Sequence, residues 1–143
     1  MKQERVRVLF VDDNRLMAEG LERRLGFEKS VQYVGWEMAA ENAIKAAEAT
    51  RADVVVLDVD MPGDSFQVLR DFGRAKGQPR VVMFSGHIRK DYVDRAIDAG
   101  AWGYVSKNES MECVVEAIQR VAAGEFVLSP DVEAVCGIKR EAS

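Results

Sequence analysis

The scarcities in this sequence narrow it before any motif is read. Two cysteines in 143 residues, Cys113 and Cys136, are too few for a secreted disulfide framework and too far apart for a paired-cysteine metal motif, so both are expected to be reduced bystanders. The single histidine, His87, has no second ligand at metal-binding spacing. Long hydrophobic runs are missing: the opening stretch MKQERVRVLFVDDN holds only the four apolar residues Val8 to Val11 after its charges, short of a signal peptide or a membrane span. The cytoplasm is therefore the expected compartment, with no membrane partner. Positive charge is not in excess either, with 20 Lys and Arg against 24 acids and a net charge of −4. No basic run would track a phosphate backbone, so direct contact with nucleic acid is not expected of this chain. There is no internal repeat, and no Ser/Thr/Gly-rich loop follows the first apolar run, which disfavours a flavodoxin-like nucleotide binder.

The composition that remains, 48% hydrophobic, supplies one sizeable core and one compact domain. Short β-branched runs at Val6 to Val11, Val31 to Trp36, Val54 to Asp58, Val81 to Phe84 and Trp102 to Val105 predict five strands. Helical spacing follows them, in Leu16, Leu21 and Leu25, in Val93 and Ile97, and in Met111, Val114, Val115, Ile118 and Val121. Five helices are expected, with Gly26, Gly100 and Gly124 as left-handed stops of the first, fourth and fifth. Strand-helix alternation requires right-handed parallel crossovers, and VVVLD and VVMFS read as strands covered on both faces. The fold class is α/β, with a doubly wound parallel sheet of five strands.

In such a sheet, ligands bind beyond the carboxyl ends of the strands. Asp12 and Asp13 follow the first strand, Asp58 and Asp60 the third, Ser85, Gly86 and His87 the fourth, and Tyr104, Ser106 and Lys107 lie at the fifth. Each has a plain reading by itself: a helix-capping acid, a turn serine, a core tyrosine, a solvated lysine. Their joint placement on one edge is not explained that way. Carboxylates so crowded repel one another unless a cation neutralises them, and magnesium suits hard oxygen ligands combined with phosphate oxygens. A phosphoryl group held there, with Lys107 as cation and Ser85 as hydroxyl, makes Asp58 a covalent acceptor.

These residues carry a resemblance. VLFVDDN, VVVLDVDMP, VVMFSGH and GAWGYVSK resemble, in order, the signatures of the response-regulator receiver domain of two-component signalling, over residues 5 to 124. The resemblance implies a flavodoxin-like (βα)5 fold with strand order 2-1-3-4-5. It makes Asp58 the phosphoacceptor, Asp13 a direct magnesium ligand with Asp12 acting through water, and Asp60 a ligand through its backbone carbonyl. Ser85 and Lys107 would contact the phosphoryl group, and Tyr104 would turn inward as Ser85 is drawn to it. Asp60 and His87 would tune the rates of phosphorylation and loss. A sensor histidine kinase is the implied donor, and a homodimer on phosphorylation is compatible, through helices one and five or four and five. The domain is expected to be self-phosphorylating rather than a turnover enzyme.

Two departures from the family stand out. The loop after Pro62 runs PGDSFQVL and is one residue short, with Asp64 and Gln67 spaced as a capping box that starts the third helix directly. Lys107 is followed by Asn108 instead of proline, so no cis X-Pro bond is expected there. The tail, VAAGEFVLSPDVEAV, resembles the end of a receiver and the start of a linker in nitrate-type transcription regulators with a helix-turn-helix output domain. Residues 1–124 are thus expected to be the receiver, and 125–143 a tail or linker start. The rival reading is a haloacid-dehalogenase-like phosphohydrolase, with Asp58 as nucleophile and Asp60 as general acid/base.

Overall fold

The computed structural model describes residues 5–137. Strands β1 (Val6–Val11), β2 (Val31–Glu37), β3 (Val54–Asp58), β4 (Arg80–Ser85) and β5 (Gly103–Ser106) alternate with helices α1 (Arg15–Leu25), α2 (Ala43–Thr50), α3 (Ser65–Phe72), α4 (Lys90–Asp98) and α5 (Met111–Ala122). A 3-10 turn, Ala40–Asn42, leads into α2. All strand pairings are parallel.

The strand order corrects the expectation in one respect. The order 2-1-3-4-5 is present, but a sixth strand, β6 (Val127–Leu128), extends the sheet beyond β5, and a sixth helix, α6 (Pro130–Cys136), follows it. Two residues are too short a stretch to declare a period, which is why this edge is silent in the sequence. The segment is nevertheless built in. Gly103 and Tyr104 pair with Val127 and Leu128, Ser129 N–H donates to the Tyr104 carbonyl at 3.1 Å, and Val132 is fully buried.

Alternate strand residues point to opposite faces, and the sequence fills both sides with apolar groups. Val8, Phe10, Val54, Val56, Val82, Phe84 and Val105 pack beneath α1 and α5. Leu9, Val11, Val55, Leu57, Val81, Met83 and Tyr104 pack against α2, α3, α4 and α6. The helices therefore divide between the two faces, as double winding requires. Gly100 and Gly124 have φ of +100° and +95° just after α4 and α5 and stop them as expected. Gly26 does not: its φ is −60°, and its N–H donates to the Glu22 carbonyl, so α1 tapers off in right-handed geometry.

Candidate functional site

The carboxyl edge of the sheet carries the polar chemistry because each central strand ends in a polar residue while its interior is apolar. Asp12 follows β1 and is completely buried. One of its oxygens accepts the Asn14 N–H at 2.9 Å, and its carbonyl accepts the Trp36 indole N–H at 2.6 Å. Its other oxygen has no hydrogen-bond partner, although the Lys107 ammonium stands 3.3 Å away. Asp13, next along, is exposed, and Asn14 caps α1 by accepting the Met17 N–H at 3.1 Å.

Asp58 ends β3 and is 1% exposed. Its Oδ1 receives the Lys107 ammonium and the Asp60 N–H, both at 2.9 Å. Ligand oxygens of Asp12, Asp13 and Asp58 lie within 4.8 Å of one another. Burial, with a smaller contribution from the Asp58 charge, lifts the Asp12 carboxyl from 3.8 to about 6, against the Asn14 hydrogen bond and the Lys107 charge. For Lys107, burial opposes the ammonium, but Asp58 and Asp12 outweigh it and raise its pKa.

A buried carboxylate oxygen without a donor, facing two further carboxylates, is the arrangement that a hard divalent cation completes. The donor set is all oxygen, with Asp13 open to solvent for the remaining waters, so the residues fit magnesium.

At the end of β4, Ser85 is fully buried. Its hydroxyl lies 3.0 Å from Asp60 Oδ1 and 3.0 Å from the His87 carbonyl, and it accepts the His87 N–H at 3.0 Å. Gly86 N–H donates to Asp60 Oδ2 at 2.8 Å. The His87 residue is exposed beside them. Tyr104, in β5, is 1% exposed, with a buried hydroxyl that faces Ser85 without closing a hydrogen bond; burial lifts its pKa to about 12. The resemblance implies a Tyr104 that turns inward on phosphorylation, whereas here the ring is already inside.

Two contributors escaped sequence reasoning, and one expected cap is present in part. Ser65, 3% exposed at the start of α3, donates to the Asp58 carbonyl at 2.9 Å and ties that helix to β3. Asn108 donates to the Gly86 carbonyl at 3.1 Å and braces the loop after β4. Asp64 caps α3 through the Gln67 N–H, but the Gln67 side chain turns to Asp71 instead of closing a reciprocal box. Only the Asp64 cap had a spacing signal; the others are long-range contacts.

The response regulator receiver domain model matches residues 8–119. The chain belongs to the receiver family of two-component response regulators. It is similar to the response regulator GacA of Pseudomonas aeruginosa, 33% identical over 135 residues that make up 94% of this chain and 63% of that protein. Among solved structures, a LuxR-family two-component response regulator from Aurantimonas sp. SI85-9A1 superposes with a TM-score of 0.87 at 28% identity, covering 94% of this chain and 96% of that one. The signal receiver domain of NarL from Mycobacterium tuberculosis gives 0.80 at 33% identity, covering 86% of this chain and all of that one. The chain spans about three fifths of the length of the curated relatives it matches. The phosphohydrolase alternative is not favoured, since the matching family model and the curated relatives are those of response regulators. RcsB, a neighbour that shares the fold at 17% identity and a TM-score of 0.83 over 94% of this chain and 68% of that one, is solved as a complex with DNA. Among the described residues, no helix is long and apolar enough to cross a membrane.

Proposed function

We propose that this receiver takes a phosphoryl group onto Asp58 from a sensor histidine kinase, with magnesium held by Asp12, Asp13 and the Asp60 backbone carbonyl. The observation that carries this is the asymmetry of the Asp58 carboxylate. Lys107 and the Asp60 N–H both donate to Oδ1 and fix the orientation of the carboxylate. Oδ2 is the nucleophile: it forms the bond to phosphorus as the donor's bond breaks, and the electron pair leaves with the imidazole of a phosphohistidine or the carboxylate of a small acyl phosphate. Magnesium, when bound, neutralises phosphate oxygens and relieves the repulsion among the acids. Lys107 pairs a phosphoryl oxygen with its ammonium, and the Ser85 hydroxyl and Gly86 N–H offer two more donors. Asp60 and His87, on either side of those donors, adjust how fast the group arrives and leaves.

In this reading the domain is cytoplasmic and phosphorylates itself stoichiometrically. The receiver takes in residues 1–124 together with the β6–α6 segment packed on its edge, and the connection to a helix-turn-helix output domain that regulates transcription follows. Residues 138–143 lie outside the described residues. Contact with DNA belongs to that output part, and phosphorylation favours a homodimer.

Labelling with a small acyl phosphate and magnesium tests the reading. Incorporation should stop at one phosphate per chain, need magnesium, and vanish in Asp58→Asn with the fold intact. Undiminished labelling of that variant overturns the assignment; sustained turnover of a generic phosphate ester would restore the hydrolase.

A further inference from the structure

We propose that the Asp60 carboxylate is a built-in stand-in for the phosphoryl group, holding the Ser85 hydroxyl and the Gly86 N–H in the receiving arrangement before any phosphate arrives. This deepens the assignment of Asp58 as acceptor and rests on it. The geometry is that of one anion clamped by two donors, 3.0 Å from Ser85 to Oδ1 and 2.8 Å from Gly86 to Oδ2. The single proton of Ser85 has a second acceptor at equal distance, the His87 carbonyl, but a charged acceptor forms the stronger bond. Asn108 braces Gly86 from the other side. With Ser85 so drawn, Tyr104 occupies the interior at 1% exposure. Asp60 itself lies at the exposed rim, from which its carboxylate can swing away.

Phosphorylation then becomes an exchange of acceptors. The incoming phosphoryl oxygens take over Ser85 and Gly86, and Asp60, repelled by the new charge, leaves for solvent. A ligand shifts an equilibrium only by its differential affinity for the two states. Here Asp60 already makes the contacts of the phosphorylated arrangement, so Tyr104 stays inward throughout.

Fluorine NMR on protein carrying 3-fluorotyrosine reads Tyr104 directly; the chain has three tyrosines, Tyr33, Tyr92 and Tyr104, and Tyr104→Phe assigns the signal. Without donor or metal, Asp60→Ala should move the Tyr104 resonance toward its solvent-exposed position and speed exchange of the Gly86 amide by roughly tenfold or more. Asp60→Asn, nearly isosteric and safe for folding, must speed Gly86 exchange as well, because its side chain offers one acceptor to two donors. Beryllofluoride with magnesium should leave the parent's Tyr104 signal almost in place and bring that of Asp60→Ala back. Unchanged Tyr104 and Gly86 signals in both variants overturn the proposal, as does a parent signal that beryllofluoride moves as far as Asp60→Ala does. If no protein takes beryllofluoride or acyl phosphate, the acceptor assignment fails, while the donor-free comparison still judges Asp60.

Discussion

Replacing Asp12 with Asn should stabilise the metal-free domain, which is the reverse of what removing a buried, hydrogen-bonded acid usually does. Asp12 is fully buried and one of its oxygens lacks a donor. Its pKa is about 6 in the fold against an ordinary value of 3.8. An acid whose folded pKa is raised binds more protons folded than unfolded, so its ionisation costs stability above about pH 6 and the cost fades as pH falls toward 3.8. A difference of that size corresponds to about 3 kcal/mol at pH 7.5, falling to about 1 kcal/mol by pH 4.5. Asn keeps an oxygen for the Asn14 N–H but sets an amide against Lys107, which takes back part of the gain. The expected net is about 2 kcal/mol in favour of Asp12→Asn at pH 7.5 in chelator, or about 6 °C in melting temperature for a domain of this size. Magnesium should reverse the order, stabilising the parent by mass action and the variant little. Urea unfolding of both proteins, at pH 7.5 and 4.5, with chelator and with magnesium, decides it. An Asp12→Asn protein less stable than the parent in chelator at pH 7.5, or a difference that ignores pH, would refute the account of Asp12 as a strained, metal-seeking acid.

Lys107→Met should act in the opposite sense, since it strips the cation from two buried carboxylates. A loss of about 3 kcal/mol is expected in chelator, partly recovered with magnesium, and unchanged urea midpoints would mean that Lys107 neutralises neither acid. Trp36 should report the metal, because its indole N–H donates to the Asp12 carbonyl: magnesium should change the emission of the parent and not that of Trp36→Phe, leaving Trp102 as a constant background. A titration silent in both would separate Trp36 from the acidic pocket. Val132→Ala should cost about 2 kcal/mol and speed exchange of the Ser106 and Ser129 amides, as expected for a valine with no exposure; an effect near zero would show that α6 is not part of the folded unit.

The sheet was legible because its strands are continuous apolar runs whose ends turn polar. Val54 to Asp58 and Val81 to Ser85 announce both their burial and their functional edge in a few letters. The acids and Lys107 could be grouped for the same reason, each lying at a strand end, and parallel winding brings such ends together. What stayed hidden depends on contacts between distant residues. Gly26 was read as a left-handed stop because glycine favours that conformation, yet α1 ends without it. β6 holds two residues, too few to show alternation, and its place is set by pairing with Gly103 and Tyr104. The direction of the Asp60 side chain is equally invisible: its position next to the acceptor is written in the sequence, but its clamp on Ser85 and Gly86 comes from β3 and β4 lying side by side.

That adjacency also explains how a pocket built on β3 and β4 meets the far edge of the sheet. Ser85 pairs with Ser106, and the Lys107 N–H donates to the Ser85 carbonyl at 2.8 Å, so the hydroxyl and the cation of the site share one rung of the ladder. One rung further out, the Ser106 N–H donates to the Ser129 hydroxyl at 3.1 Å, and Ser129 N–H returns to the Tyr104 carbonyl. Tyr104 and Val132 belong to one apolar cluster with Val93 and Ala96 of α4. A displacement of Ser85 or Lys107 therefore acts on β5 through its backbone, and β5 holds β6 and α6 by backbone bonds on one side and by a packed ring on the other. Interiors this dense do not deform continuously but repack between discrete arrangements. Whatever moves β5 must consequently either carry the segment Val127 to Cys136 with it or break the Ser129 bonds. Those two amides, Ser106 and Ser129, are where a change in the acidic pocket first becomes visible outside it.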